Sequence, residues 1–102
     1  MNKKEGVNIE ELKQVLAFAD QITEVAMYVD PKMNNHTSRW GQFVAFRGDA
    51  HRIMDDATAS QIEVDQALWL LLYGITEIGQ KYVVGGAPVL FLGNGSPSST
   101  FH

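Results

Sequence analysis

The chain has 102 residues, of which 45% are hydrophobic and 20% charged, so one globular domain is expected rather than two. The formal net charge of −4 at pH 7 disfavours nucleic-acid binding, and the lack of cysteine excludes disulfides, thiolate metal ligands and cysteine nucleophiles. The longest charge-free run is too short to cross a bilayer, and no apolar run follows the first lysines. We therefore expect no membrane contact and a cytoplasmic location.

A first helix is predicted from about residue 8 to residue 30. Asn8 and Glu11 have the spacing of a capping box, in which two side chains satisfy the free N–H groups at a helix start. Apolar residues then recur at helical spacing over the rest of this segment. Pro31 disfavours helical geometry at the residue before it, so the helix is expected to end there.

A second helix is predicted from about residue 38 to residue 57. Phe43, Ala50 and Ile53 fall on one helical face, which indicates a side packed against the rest of the domain. The five-residue run QFVAF inside this window lies between two glycines and also fits a short buried strand. The longer window favours the helix.

A third helix is predicted from about residue 61 to residue 84, with Ser60 and Glu63 as a capping box and Gly85 as its C-terminal stop. Its central run ALWLLLYGI contains no charge, so its apolar side chains extend over more than one face. This pattern predicts a central helix that is covered by both of its neighbours.

These elements predict an all-α fold, a three-helix bundle with a short C-terminal extended arm. Residues 1–86 would form the helical domain, and residues 87–102 the arm and a flexible tail. The alternative is an α+β fold in which residues 42–47 and 88–92 are strands.

Three large side chains of the third helix cannot share the face that packs into the bundle: Trp69, Leu70 and Tyr73. Trp and Tyr are enriched at the centres of protein interfaces, so we predict a homodimer interface there, with Val89 and Phe91 of the arm as a second contact. Two copies of this helix would pack on each other, and its glycines would permit a close approach. The alternative is that these side chains are ordinary core residues.

A second candidate site is a small-molecule cavity between the second and third helices. Trp40 and Phe43 would line it, and Arg47 would provide a charged group at its mouth. Aromatic side chains at helical spacing are more often plain core, so this site is the alternative to the interface.

Catalysis by this chain would depend on carboxylates, because the other nucleophiles lack their usual partners. Mg²⁺ sites need several carboxylates that converge from packed helices. The candidates are Glu10, Glu11, Asp20, Glu24 and Glu63. Acidic residues near helix ends are expected for dipole reasons alone, so we predict no catalytic residue, no metal site and no cofactor.

The segment EVDQALWLLLYGI resembles a helix of the all-α nucleoside-triphosphate pyrophosphohydrolases of the MazG type, in which an acidic pair precedes an apolar run. The resemblance implies a small, helical, oligomeric enzyme that binds Mg²⁺ through a Glu-Glu-x-x-Glu motif. Here Gln14 follows the pair Glu10-Glu11 where that motif has its third Glu, and Glu63 and Asp65 are two positions apart instead of three.

The function predicted from the sequence is therefore a small, non-catalytic protein-interaction or binding module that acts as a homodimer. A Mg²⁺-dependent nucleotide pyrophosphohydrolase and a small-molecule binder with an aromatic cavity are the two alternatives.

Overall fold

The computed structural model describes residues 6–24 and 36–88, and in the second range the side chains from residue 39 onward. It contains three helices in these ranges: α1 (Glu10–Ala19), α2 (His36–Asp55) and α3 (Gln61–Glu77). None of the residues in the two ranges is in a strand, so the predicted all-α, three-helix fold is confirmed. The alternative strand at residues 42–47 is wrong, because those residues lie inside α2.

The core is formed where α3 packs against both other helices. Each helix contributes buried apolar side chains, and so does the segment that follows each of them. The buried apolar residues are Leu12, Val15, Leu16, Phe18, Ala19, Ile22, Phe43, Ala50, Ile53, Ala59, Val64, Ala67, Leu71, Ile75 and Ile78. The helix that carries the uncharged run is therefore the central element, as the sequence predicts.

Helix α1 is shorter than predicted, because it ends at Ala19 rather than near residue 30. The N–H of Ile22 donates to the carbonyl of Ala19 at 3.0 Å, and the Ile22 side chain turns into the core. The guanidinium Nη1 of Arg47, on α2, donates to the carbonyls of both residues at 3.2 Å. A side chain from another helix thus satisfies acceptors that a longer helix would have paired. Residues 25–30 of the predicted helix lie outside the described ranges.

The start of α1 also differs from the predicted capping box. The residue at the N-cap position is Ile9, and the Asn8 side chain accepts the N–H of Glu10 at 3.0 Å. The Asn8 backbone in addition donates its N–H to the side chain of Gln61 at 2.8 Å, and that side chain donates to the Asn8 carbonyl at 3.2 Å. The first residue of α3 is therefore tied to the segment just before α1.

Helix α3 ends at Glu77, well before the predicted end at residue 84. Gly79 adopts a φ of 83°, a left-handed conformation that glycine reaches without steric cost. The N–H groups of Gly79 and Gln80 donate to carbonyls of the last helical turn at 2.9 and 3.0 Å. This is the Schellman pattern of helix termination, so Gly79 stops the helix and the predicted stop at Gly85 is wrong. In the part of the chain that the structure describes, none of the helices has the length and apolarity needed to cross a membrane.

Candidate functional site

One face of α3 is apolar and exposed. Ile62, Trp69 and Tyr73 are 70%, 65% and 42% exposed, and Leu70 between them is half-buried. With Gln66 they repeat at the spacing of a single helical face, and we call these five residues the α3 stripe. The capping box of Ser60 and Glu63 fixes the start of the helix just ahead of this face, as the sequence predicts.

The aromatic side chains of the α3 stripe are held in a defined arrangement. The rings of Trp69 and Tyr73 are stacked, with centroids 5.9 Å apart and planes 7° from parallel. The ring of Tyr73 also meets the edge of Phe46 on α2, at a centroid distance of 6.4 Å. A pair of rings fixed in this way loses little conformational entropy when a partner covers it.

A groove of about 510 Å³ runs along the same face and is bordered by polar groups. It is lined by Ile62, Asp65, Gln66, Trp69 and Leu70. The Asp65 carboxylate accepts a hydrogen bond from the Gln61 side chain at 2.9 Å. An apolar centre with polar groups at its edge is the usual composition of a protein interface.

A smaller groove of about 180 Å³ shares two of these residues, Gln66 and Leu70, and continues toward α2. Its charged residues are Asp49, Arg52 and Glu63, of which the first two form an exposed pair with a nitrogen–oxygen distance of 3.4 Å. The border of the exposed face on the α2 side is therefore charged, and its centre is not.

The structure places the three helical residues of the predicted interface on one surface, since Trp69, Leu70 and Tyr73 all belong to the α3 stripe. The other two predicted contacts, Val89 and Phe91, lie outside the described residues.

The glycine in the middle of α3 serves the core of the chain itself. Gly74 is buried, and a Cβ atom there would lie 3.1 Å from Cδ2 of Phe46 and 3.4 Å from Cα of Phe43. The close approach predicted between two copies of this helix is therefore made within one chain, between α3 and α2. Gly79 is used to end the helix, as described above.

The residues of the predicted small-molecule cavity do come together, but they are packed. Phe43 is 0% exposed, and its ring lies 5.3 Å from that of Trp40. The guanidinium of Arg47 covers both rings, at 5.0 Å from the Phe43 centroid and 5.8 Å from the Trp40 centroid. Arg47 thus occupies the space above the aromatic pair and at the same time caps α1.

The candidate metal ligands are dispersed in the part of the chain that the structure describes. There, no group of three or more Asp, Glu, His or Cys side chains is placed to hold a metal ion. Asp20 instead pairs with His51 of α2, with 2.8 Å between Oδ1 and Nε2, on an exposed surface. The sequence does not reveal this pair, because the two residues are far apart in the chain and share no local spacing.

No protein-family model, curated protein or solved structure matches this chain. An inference about its function therefore depends on the surface of the molecule itself.

Proposed function

We propose that this chain is a small protein-interaction module that forms a homodimer through the α3 stripe. The observation that carries the proposal is the stacked pair of Trp69 and Tyr73, two large rings that are fixed in place and yet 65% and 42% exposed. Aromatic anchors surrounded by polar groups are typical of the energetic centre of an interface. Burial of this face would remove large apolar side chains from water, which is the main driving force for association.

Two copies of α3 would pack antiparallel about a two-fold axis beside Trp69. Residues 65 and 73 are equally distant from residue 69, so the Asp65 carboxylate of one copy would lie opposite the Tyr73 hydroxyl of the other, which can donate to it. A parallel arrangement would place the two Asp65 carboxylates opposite each other. Charge and hydrogen bonding both favour the antiparallel pair.

The double substitution Leu70→Asp with Tyr73→Asp is expected to convert the dimer to a monomer. Each change places a carboxylate from both copies in the buried centre, and a total loss of only about 4 kcal/mol already weakens a dimer by roughly 1,000-fold. Light scattering coupled to size exclusion should give twice the chain mass of 11.3 kDa for the wild type and the single mass for the variant.

The matched control is Val84→Asp, which adds a carboxylate at an exposed apolar position outside the α3 stripe and should leave the mass unchanged. A double variant that keeps the wild-type mass would contradict the location of the interface. A wild type that has the single mass at every concentration would contradict the homodimer.

A second candidate function is small-molecule binding, which the groove of about 510 Å³ favours because sites for small ligands span about 300–1,000 Å³. A ligand at 100 times its dissociation constant stabilises a fold by about 2.7 kcal/mol and should raise the melting temperature by roughly 10 °C. Thermal unfolding with a panel of nucleotides, with and without Mg²⁺, measures the shift in melting temperature. A shift that Trp69→Ala abolishes would support the groove, and a shift that requires both Mg²⁺ and nucleotide would support the pyrophosphohydrolase. No shift with any compound would contradict both.

A further inference from the structure

Three aromatic rings form a row that leads from the packing between α2 and α3 out to the α3 stripe. Phe46 of α2 is half-buried, Tyr73 is 42% exposed and Trp69 is 65% exposed. An edge contact with a centroid distance of 6.4 Å joins the first two rings, and the parallel stack at 5.9 Å joins the last two. The exposed end of the row is therefore connected to the interior through a side chain of another helix.

The inner end of this row is fixed by the backbone of α3. A Cβ atom at Gly74 would lie 3.1 Å from Cδ2 of Phe46, so the Phe46 ring lies directly against the backbone at that glycine. On its outer side the same ring meets Tyr73, the residue before Gly74. Phe46 thus has little room to change its rotamer while α2 and α3 stay packed.

The stack of Trp69 and Tyr73 would be loose if it depended on α3 alone. Side chains four residues apart on a helix face each other, but their attraction is weak compared with the freedom that two exposed side chains lose. The contact with Phe46 comes from a different helix and restricts the Tyr73 ring, on which Trp69 stacks. Phe46 therefore limits the motion of both rings.

We propose that Phe46 is a positioning residue for the homodimer, because it holds Tyr73, and through it Trp69, in the orientation that a second copy binds. Phe46 belongs neither to the α3 stripe nor to the lining of the groove of about 510 Å³ beside it. Rings that are ordered before association need not be ordered during it, which raises the affinity without a new contact. This inference rests on the proposed homodimer.

The substitution Phe46→Leu tests the positioning role, because leucine keeps an apolar side chain but has no ring to meet Tyr73. Ordering one side chain during association weakens binding by about two- to twelvefold, and a two-fold dimer contains two copies of each. We expect the dissociation constant of the dimer, measured by sedimentation equilibrium, to rise at least about fivefold.

The matched control is Phe18→Leu, which removes a ring with the same kind of contact elsewhere in the chain. Phe18 is 2% exposed and meets the ring of Tyr82 edge to face at 5.2 Å. Because this ring is the more buried one, its loss should lower the stability of the fold at least as much as Phe46→Leu. The dissociation constant should nevertheless stay within about twofold of the wild type. Equal effects of the two variants on the dissociation constant would overturn the inference.

The same substitution in a Tyr73→Leu background distinguishes positioning from direct contact with the partner. If Phe46 acts through the Tyr73 ring, Phe46→Leu should change the dissociation constant by less than about twofold in that background. An undiminished effect would mean that Phe46 touches the second copy itself, and the positioning role would be wrong.

The orientation of the rings is read directly by NMR, also where a variant leaves no measurable dimer. Nuclear Overhauser effects between the rings of Trp69 and Tyr73, and between those of Tyr73 and Phe46, are expected in the wild type. The effects between Trp69 and Tyr73 should persist in Phe18→Leu and weaken in Phe46→Leu.

Two NMR results would overturn the inference: absence of these effects in the wild type, which needs no variant to fold, or effects of unchanged strength in Phe46→Leu. A wild type that is monomeric at every concentration would contradict the homodimer. The ring contacts would then still decide whether Phe46 holds Trp69 and Tyr73 in place.

Discussion

Replacement of Phe43 with alanine is expected to lower the free energy of unfolding by about 3–5 kcal/mol, the cost of removing a buried phenyl ring. The side chain is 0% exposed and lies where α2 meets the centre of α3. The Cα of Phe43 would lie only 3.4 Å from a Cβ atom at Gly74. The backbones of α2 and α3 are therefore too close together for another side chain to enter the space that the ring leaves. The cavity would persist, and the loss would include the cost of the void.

The consequence goes beyond the lost ring. Phe43 forms, together with Trp40, the surface over which the guanidinium of Arg47 lies. A typical domain is stable by about 5–15 kcal/mol, so this one substitution removes a large share of the total. Urea denaturation of the wild type and of Phe43→Ala at a fixed protein concentration measures the loss in the free energy of unfolding.

The control is Val44→Ala, one residue further along the same helix, at a position that is 39% exposed. This change should alter the free energy of unfolding by no more than about 0.5 kcal/mol. If Phe43→Ala cost less than about 1 kcal/mol, the position would not be the packed centre described above.

Replacement of Arg47 with methionine is expected to lower the free energy of unfolding by about 2–3 kcal/mol. Methionine keeps much of the apolar stem but has no donor for the carbonyls of Ala19 and Ile22, which Arg47 now serves at 3.2 Å. A hydrogen bond from a charged group contributes about 1.5–3 kcal/mol, and an acceptor left unpaired in a partly buried place adds to the loss. The interaction with the rings of Phe43 and Trp40 is also lost.

Two further variants serve as controls. One keeps the positive charge at residue 47 without the guanidinium, and the other removes a guanidinium elsewhere on α2. Arg47→Lys keeps the charge but not the planar fork, so it should recover only part of the stability. Arg52→Met removes a guanidinium from the exposed side of α2, where its partner is Asp49 at 3.4 Å, and should cost less than about 0.5 kcal/mol. Equal effects of Arg47→Met and Arg52→Met in urea denaturation would show that the cap contributes nothing.

The start of one helix, α3, shows what the sequence reveals, because it is determined locally. The start of α3 was predictable to the residue, since Ser60 and Glu63 need only each other and the intervening backbone to form a capping box. The long uncharged run likewise predicted the central position of α3, because a helix that buries apolar side chains on more than one face needs a neighbour on each of them.

The ends of α1 and α3 were predicted incorrectly because they depend on tertiary contacts. Either Gly79 or Gly85 can adopt the left-handed conformation that ends α3. The fold uses the first, since the turn at Gly79 brings Ile78 and Gln80 into buried positions. The end of α1 depends on Arg47, which no local pattern connects to it.

The candidate site was partly predictable. Counting helical faces showed that Trp69, Leu70 and Tyr73 cannot all share the bundle side, and the structure places them in the α3 stripe. The groove beside them depends on Asp65 and Gln66, whose polar character gave no reason to group them with the apolar run. Whether a second copy covers this face stays a prediction.

The contact between Arg47 and the end of α1 also bears on the order in which the molecule folds. α1 has only 10 residues, and isolated helices shorter than about 12–15 residues are marginal in water. The donation from Arg47 to the carbonyls of Ala19 and Ile22, at the end of α1 and just after it, is possible only after α2 has formed and docked. We therefore expect α2 and α3 to assemble first and α1 to join them late. In a native-state hydrogen-exchange experiment, the amides of α1 would open before those of α3.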